Sequence, residues 1–314
     1  MLSLTVVVPC LDEADTLRTA HQAIAAELGA HDLEMVFVDD GSTDATLHLM
    51  RELAAKDPRV HYISFARRFG FEAAFAAGYK YAAKEWVLYV DADLQGHPAE
   101  AHRLIAAASD HVDAVLGVRD HRADPPVRRW GSTLSELIAR RLLRIELPRG
   151  GTTFRLVRTG VARRVVELRR PAPYFMATLP RITSRYVTVR TPHRPRRAGR
   201  SKFTVARLAG HALDLYVAHS TVPGAVATAL SAAATITALA ALALLGATGY
   251  GVALTALLIA QLALLPTAAL LLRHSTLAAR RHGPALYYVR KSDLPIEHSD
   301  RLSLERAEIS GGAR

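Results

Sequence analysis

Short apolar runs alternate with helix-forming stretches along the N-terminal third of the chain. Residues 4–10 (LTVVVPC), 34–39 (EMVFVD), 59–65 (RVHYISF) and 86–91 (WVLYVD) are rich in β-branched and aromatic side chains, the pattern of strands buried on both faces and therefore parallel. Between them, 12–29, 44–55 and 71–84 have helix-forming composition, the first with Asp12, Glu13 and Asp15 near its start. The alternation predicts an α/β fold built on a doubly wound, mostly parallel sheet, whose ligands sit beyond the carboxyl ends of the strands.

Further on, the pattern changes twice. Residues 168–210 turn basic and proline-rich: no acidic residue lies between Glu167 and Asp214, while Arg190, Arg194, Arg196, Arg197, Arg200, Lys202 and Arg207 crowd together. By charge alone this is a solvated basic loop or an anion-binding surface. Residues 222–246 and 251–272 then contain no charged residue, and each is long enough to span roughly 30 Å of hydrocarbon as a helix. Ala247 to Tyr250 alone separate them. A pair of buried helices in a soluble core is the alternative, but the richness in small residues is what closely packed membrane helices use. Arg207 precedes the pair and Arg273, Arg280 and Arg281 follow it, so the positive-inside rule puts both ends on the cytoplasmic side of the plasma membrane. The expected organisation is a cytosolic domain over 1–202, an amphipathic interfacial helix over 203–221, a two-helix transmembrane hairpin over 222–272 and a cytosolic tail over 273–314.

Composition sharpens this picture. The 314 residues are 50% hydrophobic but only 6% aromatic, and 40 Lys and Arg against 29 Asp and Glu give a net charge of +11, pointing to an anionic partner. The single cysteine, Cys10, excludes a disulfide framework and a cysteine-based zinc site. No charged segment followed by an apolar stretch opens the chain, so its start reads as a cytosolic fold.

The chemistry lies at the strand ends. VDDGSTD (38–44) sets Asp39 and Asp40 where the second strand stops, with Gly41 for a tight turn and Asp44 to cap the next helix. Capping accounts for Asp44; two adjacent acids at a strand terminus repel unless they serve a ligand. YVDADLQGHP (89–98) follows the fourth strand, and Asp91, Asp93 and Gln95 supply hard oxygen ligands suited to Mg²⁺ or Mn²⁺ bridging to a diphosphate.

Together with VVVPCLDEADTL (6–17), RRFGFEAAFAAGY (67–79), FRLVR (154–158) and RRAGRSKFT (196–204), these segments resemble glycosyltransferase family 2, and within it the polyprenyl-phosphate glycosyltransferases, the group that includes dolichyl-phosphate mannose synthase. The resemblance covers roughly residues 4–290. It implies a GT-A fold that takes a sugar from a UDP- or GDP-linked nucleotide-sugar and passes it, with inversion, to a polyprenyl phosphate at the cytoplasmic face. Pro9, Leu11, Glu13 and Asp40 match positions that hold the nucleotide; Asp91, Asp93 and Gln95 match the metal and diphosphate site. Arg119, and Arg128 with Ser132, fall where the family gathers phosphate, and Arg196, Ser201 and Lys202 match its RxxGxSK element beside the membrane. The resemblance leaves a homo-oligomer open. Two departures stand out: Asp12 replaces an asparagine, and Gly150, Thr152 and Thr153 occupy a stretch where relatives usually carry an acid.

Rival classes fit less well. A dinucleotide enzyme needs G-x-G-x-x-G after the first strand, where Cys10-Leu11-Asp12-Glu13 stands, and there is no P-loop. A processive polysaccharide synthase would carry Q-x-x-R-W, but PVRRW (126–130) has proline for the glutamine. Nucleic acid is not expected as a partner, because the basic residues lack interleaved stacking aromatics. A non-lipid acceptor and a pseudo-transferase that binds nucleotide-sugar without turnover remain as alternatives.

Overall fold

The computed structural model describes residues 1–94, 96–119, 137, 141, 151–168, 174–192, 210, 213–214, 222–245, scattered positions from 250 to 275, and 286–301. Eight strands form one sheet in the order β7-β5-β6-β4-β1-β2-β3-β8. The strands are β1 (Ser3–Cys10), β2 (Asp32–Asp39), β3 (Val60–Phe65), β4 (Trp86–Tyr89), β5 (Ala114–Arg119), β6 (Gly151–Arg158), β7 (Tyr186–Thr191) and β8 (Val289–Ser292). Helices α1 (Ala14–Leu28), α2 (Thr46–Lys56) and α3 (Phe71–Tyr81) connect the first four strands, all parallel to one another. The short α4 (Ala101–Ala106) precedes β5, α5 (Thr159–Glu167) follows β6, and α6 (Phe175–Thr178) leads toward β7.

The period of two along β1 explains the double winding. Val6 and Val8 pack on one face with Leu17, Ile24 and Met50 of α1 and α2, while Val7 points to the other face with Ala74, Ala77 and Tyr79 of α3. Contact there is close enough that a Cβ on Gly78 would lie 2.3 Å from Val7 Cγ1, which is why α3 carries a glycine in mid-helix.

Predicted strands and helices are found within a few residues of their expected ends. Residue 12 is not yet helical, however, and β4 stops at Tyr89, leaving Asp91 in the following turn. β6 runs antiparallel to β4 and β5, and β8 runs antiparallel to β3. The sequence divides 273–314 off as a tail; the fold instead returns residues 286–301 to the domain. There Tyr287 stacks on Phe65 with ring centroids 4.9 Å apart, and Asp293 binds the His61 ring at 2.9 Å and the Tyr62 amide at 2.7 Å.

Helix α7 (Val222–Leu245) is continuous over 24 residues without an acidic residue in its first turn or a basic one in its last. Described positions of the second apolar segment, among them Leu254, Leu258, Leu271 and Leu272, are also helical. Among the described residues, no helix is long and apolar enough to cross a membrane. Of the expected interfacial helix only Gly210, Leu213 and Asp214 are described, all three helical.

Candidate active site

The parallel register brings the carboxyl ends of the central strands level: Cys10 pairs with Asp39, and Asp39 with Ser64. Three loops meet on this edge; acids hold the first two, and the third carries two more.

The first loop follows β1. Asp12 has φ 52°, in the left-handed region that Asn and Asp enter most readily among non-glycine residues. Its Oδ1 accepts the Thr43 amide at 2.8 Å, and its own amide donates to Ser42 Oγ at 2.9 Å. The departure from asparagine is therefore conservative, since either side chain satisfies both the backbone and the acceptor role. Glu13 starts α1; its amide donates to Thr46 Oγ1 and its carboxylate accepts from Thr16 Oγ1, both at 2.9 Å. Pro9 and Leu11 flank Cys10, half-buried. Burial, reinforced by Glu13, Asp39 and Asp44, pushes the Cys10 thiol well up and keeps it protonated.

In the second loop Asp39 and Asp40 each have donors of their own, which offset the repulsion between two adjacent acids. Asp39 Oδ1 accepts the Ser42 amide at 2.8 Å and Oδ2 the Ser64 hydroxyl at 2.7 Å. Asp40 takes the Phe69 amide at 2.7 Å and the Gly70 amide at 2.9 Å, with Arg68 Nε at 3.9 Å. Burial raises the Asp40 carboxyl, and these amides and Arg68 only partly oppose it. Asp40 thus holds the loop 66–70, which presents exposed Arg67 and Arg68 on the same edge. Asp44, expected as a cap, lies one residue before the Ala45 N-cap position but binds the first amides of both helices, Thr46 at 2.9 Å and Ala14 at 3.2 Å.

The third loop carries Asp91 and Asp93. Leu94 donates its amide to the Asp91 carbonyl at 2.9 Å, closing a turn in which Leu94 itself has φ 57°. A buried leucine in that conformation costs roughly 1–2 kcal/mol, and such strain gathers at functional sites. The turn is held from beneath: Ala92 and Leu94 are buried, and the Phe154 ring fills the space over Gly96, where a Cβ would lie 2.8 Å from it. The Tyr89 hydroxyl donates to Asp91 Oδ1; burial and that carboxylate push the phenol well up, so it stays a donor. Asp91 and Asp93 themselves are half-buried.

Two hard carboxylates on one turn fit a Mg²⁺ or Mn²⁺ ion. Among the described residues no cluster of three or more His, Cys, Asp or Glu could complete a protein cage. That donor set suits an ion that draws its other ligands from phosphate and water.

β5 runs parallel to β4 through their shared neighbour β6, so Arg119, the last residue of β5, lies on the same edge, as do Thr152 and Thr153 at the start of β6. Thr152 Oγ1 is engaged by the Gly117 carbonyl at 3.0 Å, and Thr153 is exposed. Gln95, Arg128, Ser132, Arg196, Ser201 and Lys202 lie outside the described residues, as does the Arg119 side chain. Sequence reasoning gave no role to Arg67 and Arg68, or to Tyr89 behind Asp91; a tyrosine two residues before a strand-end acid, on the same face, was the available signal.

Among curated proteins, the undecaprenyl-phosphate 4-deoxy-4-formamido-L-arabinose transferase of Pseudomonas paraeruginosa is 30% identical over 226 residues, 70% of this chain and 66% of that protein. The transferase of the same name from Shewanella sediminis is 29% identical over 227 residues, 70% of this chain and 67% of its own length. Among solved structures, glucosyl-3-phosphoglycerate synthase from Mycobacterium tuberculosis, in complex with Mn²⁺, UDP and glucosyl-3-phosphoglycerate, superposes with a TM-score of 0.50 at 17% identity over 69% of this chain and 78% of that one, a likeness of fold. The pattern of glycosyl transferase family 2 matches residues 5–166, which span β2 to β6, most of β1 and the three loops just described, and with it this chain belongs to glycosyl transferase family 2.

Proposed function

We propose that this protein is a membrane-bound inverting glycosyltransferase that moves a sugar from a nucleotide-sugar to a polyprenyl phosphate, undecaprenyl phosphate being the acceptor named for its relatives. The observation that carries the reading is the strained turn Asp91–Leu94, which offers two carboxylates beside two loops locked by Asp12 and Asp40 at the carboxyl ends of parallel strands.

In this reading the first loop, with Pro9, Leu11 and Glu13, and the Asp40-held loop bearing Arg67 and Arg68 form the donor pocket. Asp12 and Asp40 act by fixing backbone, while the arginines meet phosphate charge. Asp91, Asp93 and Gln95 would hold Mg²⁺ or Mn²⁺, which when bound neutralises charge on the leaving diphosphate. Arg119 joins the donor pocket, and Arg128, Ser132, Arg196, Ser201 and Lys202 gather the acceptor phosphate. A phosphate monoester has a second pKa of about 6 and is largely a dianion at neutral pH, so the absent acid before Phe154 is not required as a base.

A membrane hairpin fits the C-terminal half. On α7, Val226, Leu230, Ile236 and Leu239 are each more than half exposed, and Thr228, Thr235 and Thr237 turn their hydroxyls back onto carbonyls four residues earlier at 2.8–2.9 Å. An apolar exterior with internally satisfied hydroxyls suits lipid. Arg273, after the second segment, binds Asp214, before the first, at 2.7 Å. β7, which ends at Thr191, and β8, which begins at Val289, belong to one sheet, which supports a chain between them that ends on the side where it began, as a hairpin does.

The test is transfer of radiolabelled sugar into an organic-extractable, mild-acid-labile lipid by the full chain in membranes, across UDP- and GDP-sugars with Mn²⁺. Label confined to water-soluble glycan would reject the lipid acceptor; donor binding with no transfer under any condition would favour the pseudo-transferase.

A further inference from the structure

Arg155 is the least expected residue of the interior. It sits on β6, 2% exposed, with its guanidinium carbon 4.0 Å from the Phe175 ring centroid, 4.4 Å from Phe75 and 5.7 Å from both Tyr79 and Tyr89. Nε donates to the Tyr79 hydroxyl at 2.7 Å, but Nη2 has no hydrogen-bond partner among the described residues. The acid facing it, Glu72 in the first turn of α3, is pushed up to about 8 by burial against the attraction of Arg155, so at neutral pH it is largely protonated and leaves the cation uncompensated.

Four aromatic faces return part of the desolvation cost, yet a buried charge with an orphaned donor is a poor way to fill a core. An unbranched apolar residue would pack the same box at no electrostatic cost. What the cation faces is the ring whose far end touches the candidate site: Tyr89 forms one wall of the box, rests on Phe75 at 4.5 Å between centroids, and gives its hydroxyl to Asp91.

We infer that Arg155 is a positioning residue for Asp91: it holds the Tyr89 ring so that the hydroxyl fixes the carboxylate after β4. The inference rests on the reading of Asp91 as a donor-site acid. It differs from a role in core packing by one signature. Removing the cation weakens the site without weakening the fold.

The experiment compares Arg155→Met, Tyr89→Phe and the double variant with the wild-type full chain, measuring the melting temperature of the metal-free protein and the Mn²⁺ concentration that half-saturates sugar transfer. Arg155→Met is expected to melt at the same temperature or higher while its half-saturating Mn²⁺ rises about tenfold, the size of one hydrogen bond to a charged group. Tyr89→Phe should rise equally, and the double variant no further, because both act through one contact. Independent, multiplying effects would overturn the route through Tyr89. A fall in melting temperature with unchanged Mn²⁺ dependence would make Arg155 a packing residue, and if that variant failed to fold, an unchanged Mn²⁺ dependence in the isosteric Tyr89→Phe would overturn the inference by itself. Asp91→Asn is the control: if it leaves Mn²⁺ dependence untouched, the donor-site reading falls and this inference with it, whereas a response to Asp91→Asn but not to Arg155→Met removes the inference alone.

Discussion

Lys80 Nζ lies 2.9 Å from Asp300 Oδ2, joining the last turn of α3 to a segment that follows both apolar helices in sequence. Tyr81 and Tyr287 donate to the same oxygen at 2.7 and 3.0 Å, and Glu297 takes a second bond from Lys80. The returning segment also touches the site, since the Ala66 amide, at the start of the loop that Asp40 holds, donates to the Tyr288 carbonyl at 2.9 Å.

This clasp should release in acid. Burial raises the Asp300 carboxyl, but the bonds from Lys80, Tyr81 and Tyr287 outweigh it and leave the group below its usual range. A depressed folded-state value stabilises the protein above the unfolded carboxyl's pKa of about 3.9, and that contribution is lost as pH falls through the folded value. Asp300→Asn should cost roughly 2 kcal/mol at neutral pH, with a flatter fall in melting temperature between about pH 5 and 3 than the wild type. Parallel melting curves across that window would show that Asp300 does not hold the segment.

Gly41 is the residue on which two loops turn. Its φ is +76°, and a Cβ there would lie 2.6 Å from the Arg67 carbonyl carbon and 2.7 Å from the Arg68 nitrogen, both backbone atoms with little room to move. Gly41→Ala should destabilise by more than about 1 kcal/mol and push the loop 66–70 outward. Hydrogen exchange at the Phe69 and Gly70 amides, now bound to Asp40, should accelerate and nucleotide-sugar KM should rise. Unchanged exchange at those two amides would mean that the loop tolerates the methyl.

The half of the sheet that builds the candidate site was legible because its strands are buried on both faces and its helices carry clean apolar stripes. β7 (YVTVRT) is largely exposed and β8 (VRKS) is four residues, two of them charged, so neither has a hydrophobic signature; their pairing comes from neighbours distant in sequence. The hydrogen bonds of Asp39 and Asp40 were hidden for the same reason: their donors Ser64, Phe69 and Gly70 lie well beyond the DDGSTD segment. Asp91 and Asp93 could be picked out from their place after an apolar strand, but Arg155, behind Tyr89, could not, because a charged residue in FRLVR gives no sign of being enclosed by rings.

The hairpin predicts sidedness. Cys10 is buried and is the single native cysteine, so cysteines introduced at exposed Asp110 and His298 report cleanly. With an impermeant maleimide, both should label from one side of sealed vesicles, and Thr248→Cys, in the turn between the apolar segments, from the other. The full chain should stay with membranes after carbonate washing. Labelling of all three positions from the same side would replace the hairpin with helices lying on the surface.

Asp93 separates chemistry from folding most directly. It is half-buried on the turn whose closing bond is between backbone atoms, Leu94 amide to Asp91 carbonyl, and the core beneath is supplied by Ala92 and Leu94. Asp93→Asn keeps the size of the side chain and a turn-compatible residue, so stability should change by no more than about 0.5 kcal/mol. What it removes is a negative charge on the turn where the proposed function would seat a divalent ion and a diphosphate, and a loss of this kind costs about 10²- to 10³-fold in kcat. The expected result is turnover down several hundredfold, partly restored by raising Mn²⁺, with nucleotide-sugar KM changed far less. If Asp93→Asn retained full turnover at limiting metal, the acids after β4 would be no more than a structural turn.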